Sequence, residues 1–299
     1  MAVLPNHISP DPSRRALLAC GGALALTACG RSAKPVARAA SSTAPARAAT
    51  LEAAVAGVWR AADDRARDRW RHPAESLRFW RVRPGATVVE FWPGTGWYTD
   101  ILAPFLHATG GTLYAADVEP DTPAARVVSD AFRRRLEADP GLFGKVHITA
   151  FGMTSGPVAP AGSADVVLFL RNLHDWMAGG YAEKAFRDAR QALKPGGVLG
   201  IEAHRAAPGG VQDVLAESGY VQEAYVKQMA KEAGFVFDGS SEINANPKDT
   251  RDYPFGVWTL PPSRRSAPAG KPDDPHFDHA KYDAIGESDR MTLRFVKPS

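Results

Sequence analysis

Apolar and polar positions along the chain fall into alternating helical and strand-like blocks. Leu51, Ala54, Val55, Val58 and Trp59 recur at helical spacing, which predicts a helix from Leu51 to Arg71, ended by Pro73. The β-branched run Ala86–Phe91 follows the turn Arg83-Pro84-Gly85 and reads as a first strand. A glycine loop leads into a helix from Tyr98 to Leu106. A second strand runs from Thr112 to Ala116 and closes at Asp117, and a charged amphipathic helix covers Ala124–Ala138. Strands follow at His147–Phe151 and at Ala164–Leu170, whose unbroken apolar run ADVVLFL suits burial on both faces of a parallel sheet. A helix at Tyr181–Leu193 meets the turn Lys194-Pro195-Gly196-Gly197, and a fifth strand covers Val198–Ala203. Beyond it lie a helix at Tyr220–Ala233 and two late strands, Phe235–Ile243 and Met291–Val296. Strands alternating with helices predict a doubly wound α/β sheet with its ligand crevice beyond the carboxyl ends of the strands. The chemistry is therefore expected just after strands one, two and four.

The first 48 residues stand outside this pattern. Ala16–Ala28 is an apolar run too short to span a bilayer, which takes ~20 residues. It follows Arg14-Arg15, resembles a twin-arginine export signal, and ends in Leu26-Thr27-Ala28-Cys29-Gly30, which resembles a bacterial lipobox. The expected organisation is a signal peptide at 1–28, a flexible Ala/Ser/Pro-rich tether at 29–48 and one domain at 49–299. Cys29 would be the lipid anchor of an exported, periplasmic or membrane-attached protein. A plain secretory signal with a chance cysteine is the other reading. With Cys20 removed and Cys29 lipidated, no thiol would remain in the folded part, and two cysteines make neither a disulfide scaffold nor a zinc site. A net charge of +3 from 36 basic and 33 acidic residues is too balanced to point to nucleic acid.

The loop between the first strand and its helix reads Glu90-Phe91-Trp92-Pro93-Gly94-Thr95-Gly96-Trp97-Tyr98-Thr99. Its glycines permit a sharp turn and close approach of a ligand to the backbone. The dinucleotide fingerprint GxGxxG would need glycine at Thr99, which argues against a nicotinamide-dependent oxidoreductase, and no phosphate-loop GxxxxGK[ST] is present. Glu90, Gly94 and Gly96 match the first motif of the class I S-adenosylmethionine-dependent methyltransferases, E/D-x-G-x-G-x-G, with Pro93-Gly94-Thr95-Gly96 as its turn. Asp117, 21 residues after Gly96, matches the acidic residue that holds the ribose hydroxyls. Asp165 and Leu193-Lys194-Pro195-Gly196-Gly197 match later landmarks. More narrowly, HPAESLRFW, WPGTGWYTDILAP, RNLHDW and ESDRMTLRFVKP resemble a bacterial subgroup of predicted methyltransferases. The resemblance implies a Rossmann-like, mostly parallel sheet with an antiparallel last strand and helices on both faces. It implies S-adenosyl-L-methionine as cofactor, bound by Glu90, Pro93, Gly94, Gly96, Tyr98, Thr99, Asp117, Val118, Gly152, Met153, Arg171 and Asn172. Trp92 stands where the family has its first glycine, so its indole either points into the sheet or reshapes the pocket. Phe151-Gly152-Met153 replaces the acidic residue that often contacts adenine.

Methyl transfer asks for alignment and often for a base. His174, in Arg171-Asn172-Leu173-His174-Asp175-Trp176 after strand four, is the candidate base; capping or packing the next helix is the alternative, with Asp175 as its N-cap. Trp97 is a candidate wall for a small-molecule substrate, although five tryptophans crowded between Trp59 and Trp97 also suit core packing. The polar segment Asn244–Pro254, with Asn244 and Asn246, reads as a lid contacting substrate. Glu202 and His204 share a strand face, but no known ligand set is matched, so no metal is expected. The competing reading is a degenerate methyltransferase fold kept as an exported, non-catalytic binding or scaffold protein.

Overall fold

The computed structural model describes residues 48–299; the expected signal peptide, the expected tether up to residue 47 and Cys29 lie outside the described residues. Seven strands form one sheet: β1 Thr87–Phe91, β2 Thr112–Val118, β3 Val146–Phe151, β4 Ala164–Leu170, β5 Leu193–His204, β6 Val236–Ser241 and β7 Arg290–Val296. Their order is β3-β2-β1-β4-β5-β7-β6. β1 to β5 pair in parallel, and β7 runs antiparallel between β5 and β6. The doubly wound, mostly parallel sheet with a reversed last strand is thus the architecture observed. The helices are α1 Leu51–Val55, α2 Ala62–Ala66, α3 Asp68–Arg71, α4 Pro73–Phe79, α5 Thr99–Thr109, α6 Pro123–Ala138, α7 Pro140–Phe143, α8 Leu173–Ala178, α9 Ala182–Ala192, α10 Glu223–Glu232 and α11 Ala280–Asp283.

Strand alternation splits the core in two. Val89, Phe91, Val167, Phe169, Leu199 and Ile201 face α8, α9 and α10. Val88, Val166, Leu168 and Val198 face α1, α4 and α5 on the other side. β4 is buried on both faces as its apolar run requires. On α9, Ala182, Ala185, Phe186, Ala189 and Ala192 form the buried stripe of an amphipathic helix. Asp165 ties the start of the sheet together: it accepts from the Thr87 amide at 2.8 Å and from Lys194 Nζ at 2.9 Å.

Three local expectations are corrected. The stretch 51–71 is three short helices. In a continuous helix the Val55 carbonyl would accept the amide of residue 59; instead it accepts from Arg60 Nη1 at 2.6 Å, and Arg60 also grips both oxygens of Asp68 at 2.7 and 2.8 Å. Pro73 starts α4 rather than only ending a helix, because His72 turns left-handed at φ 39° and proline suits the first helical position. β5 begins at Leu193, and the Lys194–Gly197 turn is a bulge in its pairing, which passes from Ala164↔Leu193 to Val166↔Val198.

α4 delivers Trp80 onto β5, where its indole N–H donates to the Leu293 carbonyl at 3.0 Å and its ring covers Gly200. A Cβ on Gly200 would strike that ring. Gly200→Ala is therefore expected to lose about 1–3 kcal/mol of stability, read as a lower urea midpoint; an unchanged midpoint would contradict the wedge.

Candidate active site

The site lies beyond the carboxyl ends of β1, β2 and β4. Leaving β1, the chain turns left-handed at Trp92, φ 46°, an uncommon conformation for a bulky residue and one that suits the glycine the resemblance expects. The turn is held by Asn172, whose Nδ2 donates to the Phe91 and Trp92 carbonyls at 3.2 and 3.0 Å. The Trp92 indole reaches the last carbonyl of β3, donating to Phe151 O at 2.8 Å. It packs edge-on against Trp176, 5.9 Å between centroids, beside Tyr181 at 6.1 Å. The two alternatives left open by the sequence resolve into an aromatic floor of Trp92, Phe151, Trp176 and Tyr181 between β3 and α8–α9.

Gly94 and Gly96 both have positive φ, 59° and 89°. A Cβ on Gly94 would meet nothing within 4 Å, so this turn forms an open cradle. A Cβ on Gly96 would strike the guanidinium of Arg135, which also pairs with Asp100. The Pro93 carbonyl closes the turn, accepting from the Gly96 amide at 2.9 Å. Glu90, buried at the end of β1, accepts from the Thr99 hydroxyl at 2.7 Å. Burial raises its pKa from 4.5 to about 7, helped by Asp100 and opposed by Thr99, Arg135 and Arg171.

Asp117 ends β2 with 2% exposure. Its Oδ1 accepts from the Val118 amide at 2.8 Å, whereas Oδ2 is buried without a hydrogen-bond partner. Burial pushes its pKa up, although the hydrogen-bonding hydroxyl of Ser129, the Val118 amide and Arg133 pull the other way; Oδ2 lacks a well-placed donor but has Ser129 close to the carboxyl. Beyond β3 the Gly152 amide is already engaged by Ser155 Oγ at 2.9 Å, while Met153 is 58% exposed at the rim.

On the opposite side of the crevice, Arg171 follows β4 directly, also left-handed at φ 67°. Its amide donates to the Glu202 carbonyl at 2.8 Å and its Nη1 lies 3.6 Å from Glu202 Oε1. The guanidinium therefore leans toward Glu202 on β5, while its charge still acts on Glu90 at the start of the glycine loop. His174, buried in α8, has no partner at Nδ1; its Nε2 is 3.5 Å from Asp175 Oδ2. Its ring centroid lies 5.3 Å from His204 and 5.7 Å from Trp258. His204 Nδ1 is 2.6 Å from Ser288 Oγ. Burial drives the His204 pKa well below 6.5, aided by His174, Arg290 and Arg171, so it is held neutral.

Several sequence assignments shift. Tyr98 turns inward, its hydroxyl donating to Glu202 Oε2 at 3.2 Å, so it supports the site from below instead of touching a cofactor. Trp97 is buried, bonded to the Asp64 carbonyl, with Arg60 and Arg71 over its ring at 5.0 and 4.7 Å, so it is no free substrate wall. Asn244 and Asn246 are buried with their amides spent on Ser76, Thr292, Ile285 and Glu287, so they brace the segment that the sequence suggested as a lid. Asp175 lies within the first turn of α8, whose N-cap is Asn172. Sequence reasoning missed Arg290, Glu287 and Ser288. Their available signal was a run of polar residues, Glu287-Ser288-Asp289-Arg290, feeding directly into a buried apolar strand.

No protein-family model and no curated protein matches the chain. Solved structures do. A SAM-dependent methyltransferase from Aquifex aeolicus is 17% identical, with 61% of this chain and 89% of that chain covered and a TM-score of 0.49. The [4+2]-cyclase SpnF is 17% identical over 76% of this chain and 80% of its own, TM-score 0.45. A Burkholderia thailandensis 1,6-didemethyltoxoflavin-N1-methyltransferase, solved with that compound and S-adenosylhomocysteine, is 15% identical over 77% and 79%, TM-score 0.44. At this level of similarity nothing about chemistry transfers from them to this chain.

Glu90 gives the site a pH signature. Its native pKa exceeds the ordinary 4.5, so the stability linked to its proton is complete below pH 4.5 and is lost as pH rises through about 7. Glu90→Gln keeps the acceptor for Thr99 but cannot ionise. It is expected to be more stable than the parent above neutrality, by up to about 3 kcal/mol, with the gap closing towards pH 4.5. Thermal unfolding across this range checks it; a pH-independent difference would contradict the assignment.

Proposed function

We propose that the chain binds S-adenosyl-L-methionine at the glycine cradle and transfers its methyl group to a small-molecule acceptor held beside Arg171 and His174. The observation that carries this reading is Asp117, a buried carboxylate with one oxygen unpartnered beside a turn whose Gly94 leaves open space. Leaving a buried acceptor unsatisfied costs about 1–3 kcal/mol unless a ligand serves it. The vicinal hydroxyls of a ribose are donors of the kind this oxygen lacks. These residues fit the cofactor: Asp117 would hold the ribose, Gly94 would allow close approach of the chain to it, and Glu90 would face its cationic amino-acid end.

When bound, S-adenosylmethionine supplies a methyl group activated by a sulfonium. The remaining work belongs to the chain. The aromatic floor of Trp92, Phe151 and Trp176 excludes water from one side. The free Nδ1 of His174 accepts a proton from the acceptor, while Nε2–H faces Asp175, whose carboxylate steadies the imidazolium that forms. The balanced net charge does not favour a nucleic-acid acceptor. Export and lipid attachment at Cys29 belong to the same reading and are supported by the run Ala16–Ala28 and the sequence LTACG.

Calorimetric titration with S-adenosylhomocysteine is expected to show binding that weakens at least about tenfold in Asp117→Ala, through loss of hydrogen bonds to a charged acceptor. Gly94→Val, which puts a β-branched residue at φ 59° in the cradle, is expected to bind no better. No binding by the parent protein would sink the proposal.

A further inference from the structure

The wall of the crevice opposite Asp117 is built from arginines and carboxylates that hold one another. Glu202 and His204 stand two apart on β5 and so share one face, and Arg290 is the register partner of His204 on β7. Arg290, 1% exposed, donates to Glu287 Oε2 at 2.7 Å and lies 3.2 Å from Glu202 Oε1. Glu287 is further gripped by Arg71 Nε at 2.8 Å and by Arg67 Nε at 2.8 Å. Tyr98 takes the other oxygen of Glu202. Glu202 and Glu287 thus already serve Arg67, Arg71 and Arg290 before Arg171 is counted, and Arg67 has Asp64 as a second partner at 3.5 Å.

Arg171 is the least served of the four. Its contact with Glu202 is a long ion pair, and its buried Nη1 has no hydrogen-bond partner. The buried Nη1 faces Glu202, and the rest of the side chain remains 18% exposed. Next to it on this wall, His174 packs against His204 with Nδ1 unpartnered, whereas His204 is satisfied by Ser288. A buried guanidinium short of a partner favours an oxyanion, which it binds through planar paired N–H donors.

We propose that Arg171 binds an oxyanion of the methyl acceptor, a carboxylate or a phosphate, and thereby presents a neighbouring hydroxyl or amine to His174 Nδ1. The proposal rests on the methyltransferase reading. In the step, the acceptor's proton passes to His174 Nδ1. The acceptor's oxygen or nitrogen lone pair forms the new bond to the methyl carbon, and the carbon–sulfur pair stays on sulfur, which becomes a neutral thioether. Arg171 lies within electrostatic reach of Glu90 as well as Glu202, so the S-adenosylhomocysteine arm of the test separates an anion of the acceptor from the carboxylate of the cofactor.

The test titrates the full chain with inorganic phosphate and, separately, with acetate, alongside S-adenosylhomocysteine. At least one anion is expected to bind, and the tighter of the two identifies the acceptor's charged group. Arg171→Gln is expected to weaken that anion at least about tenfold and to leave S-adenosylhomocysteine within about twofold, a change below the worth of one hydrogen bond. Arg171→Lys, which keeps the charge without the planar fork, is expected to fall between and decides the matter if the Gln variant does not fold. Failure of both anions to bind, equal binding by the Gln variant, or a loss confined to S-adenosylhomocysteine would overturn the proposal. Arg171-dependent anion binding without S-adenosylhomocysteine binding would support the oxyanion site and overturn the cofactor reading instead.

Discussion

Arg290 and Glu202 stand side by side on neighbouring strands, both almost fully removed from water. Desolvating two such charges costs several kcal/mol each, which their attraction offsets only when the remaining donors and acceptors are also placed. That condition organises this half of the molecule. Arg290 reaches the Trp70 carbonyl at the end of α3 and, through Glu287, Arg71 and Arg67. Glu202 draws in Tyr98 from the glycine loop and Arg171 from β4. One buried pair therefore fixes the N-terminal helices, the loop after β1 and the ends of β4, β5 and β7 against each other. Burial alone would lift Glu287, yet Arg290, Arg67 and Arg171 hold its carboxyl below the ordinary value. The charges there are kept ionised by one another.

The two walls of the crevice are built on opposite electrostatics. On the β1–β2 side, Glu90 and Asp117 are buried carboxyls pushed up by desolvation, one answered by a threonine hydroxyl and the other half unanswered. On the β4–β5 side, the carboxylates are matched by arginines: Arg171 and Arg290 both approach Glu202, and Arg290 also pairs with Glu287. Both strands bounding the gap, β1 and β4, are followed directly by a bulky residue with a left-handed backbone, Trp92 and Arg171. Such conformations cost about 1–3 kcal/mol and persist where surrounding contacts impose them. Asn172 pins the first and the Glu202 carbonyl the second.

Much of the frame could be read from local pattern. ADVVLFL is a strand over its whole predicted length because apolar continuity has few other solutions in a doubly wound sheet. Asp117, Gly94 and Glu90 fall where a strand-turn-helix reading puts them. The helix predicted over 51–71 fails because a side chain, Arg60, takes a carbonyl that a periodicity count assigns to the backbone. The direction of Trp92 depends on the Phe151 carbonyl two strands away, and no local rule carries that information. The Glu202–Arg290 pair joins residues far apart in sequence, and Asn244 and Asn246 look like loop polar residues until their partners on α4 and β7 and in the 285–287 segment are seen. Charge placed inside an apolar strand was the legible warning; its partner was not.

In the proposed reading, Oδ2 of Asp117 and the open turn at Gly94 form one cofactor site, and the acceptor lies on the Arg171 wall. A crystal structure grown with S-adenosylhomocysteine addresses it most directly. Ribose hydroxyls are expected on Asp117 Oδ2, with the ligand passing over Gly94, Trp92 still bonded to the Phe151 carbonyl, and Arg171 free of the ligand. Ligand seated elsewhere, or lying on Arg171 with Asp117 still unpartnered, would contradict it.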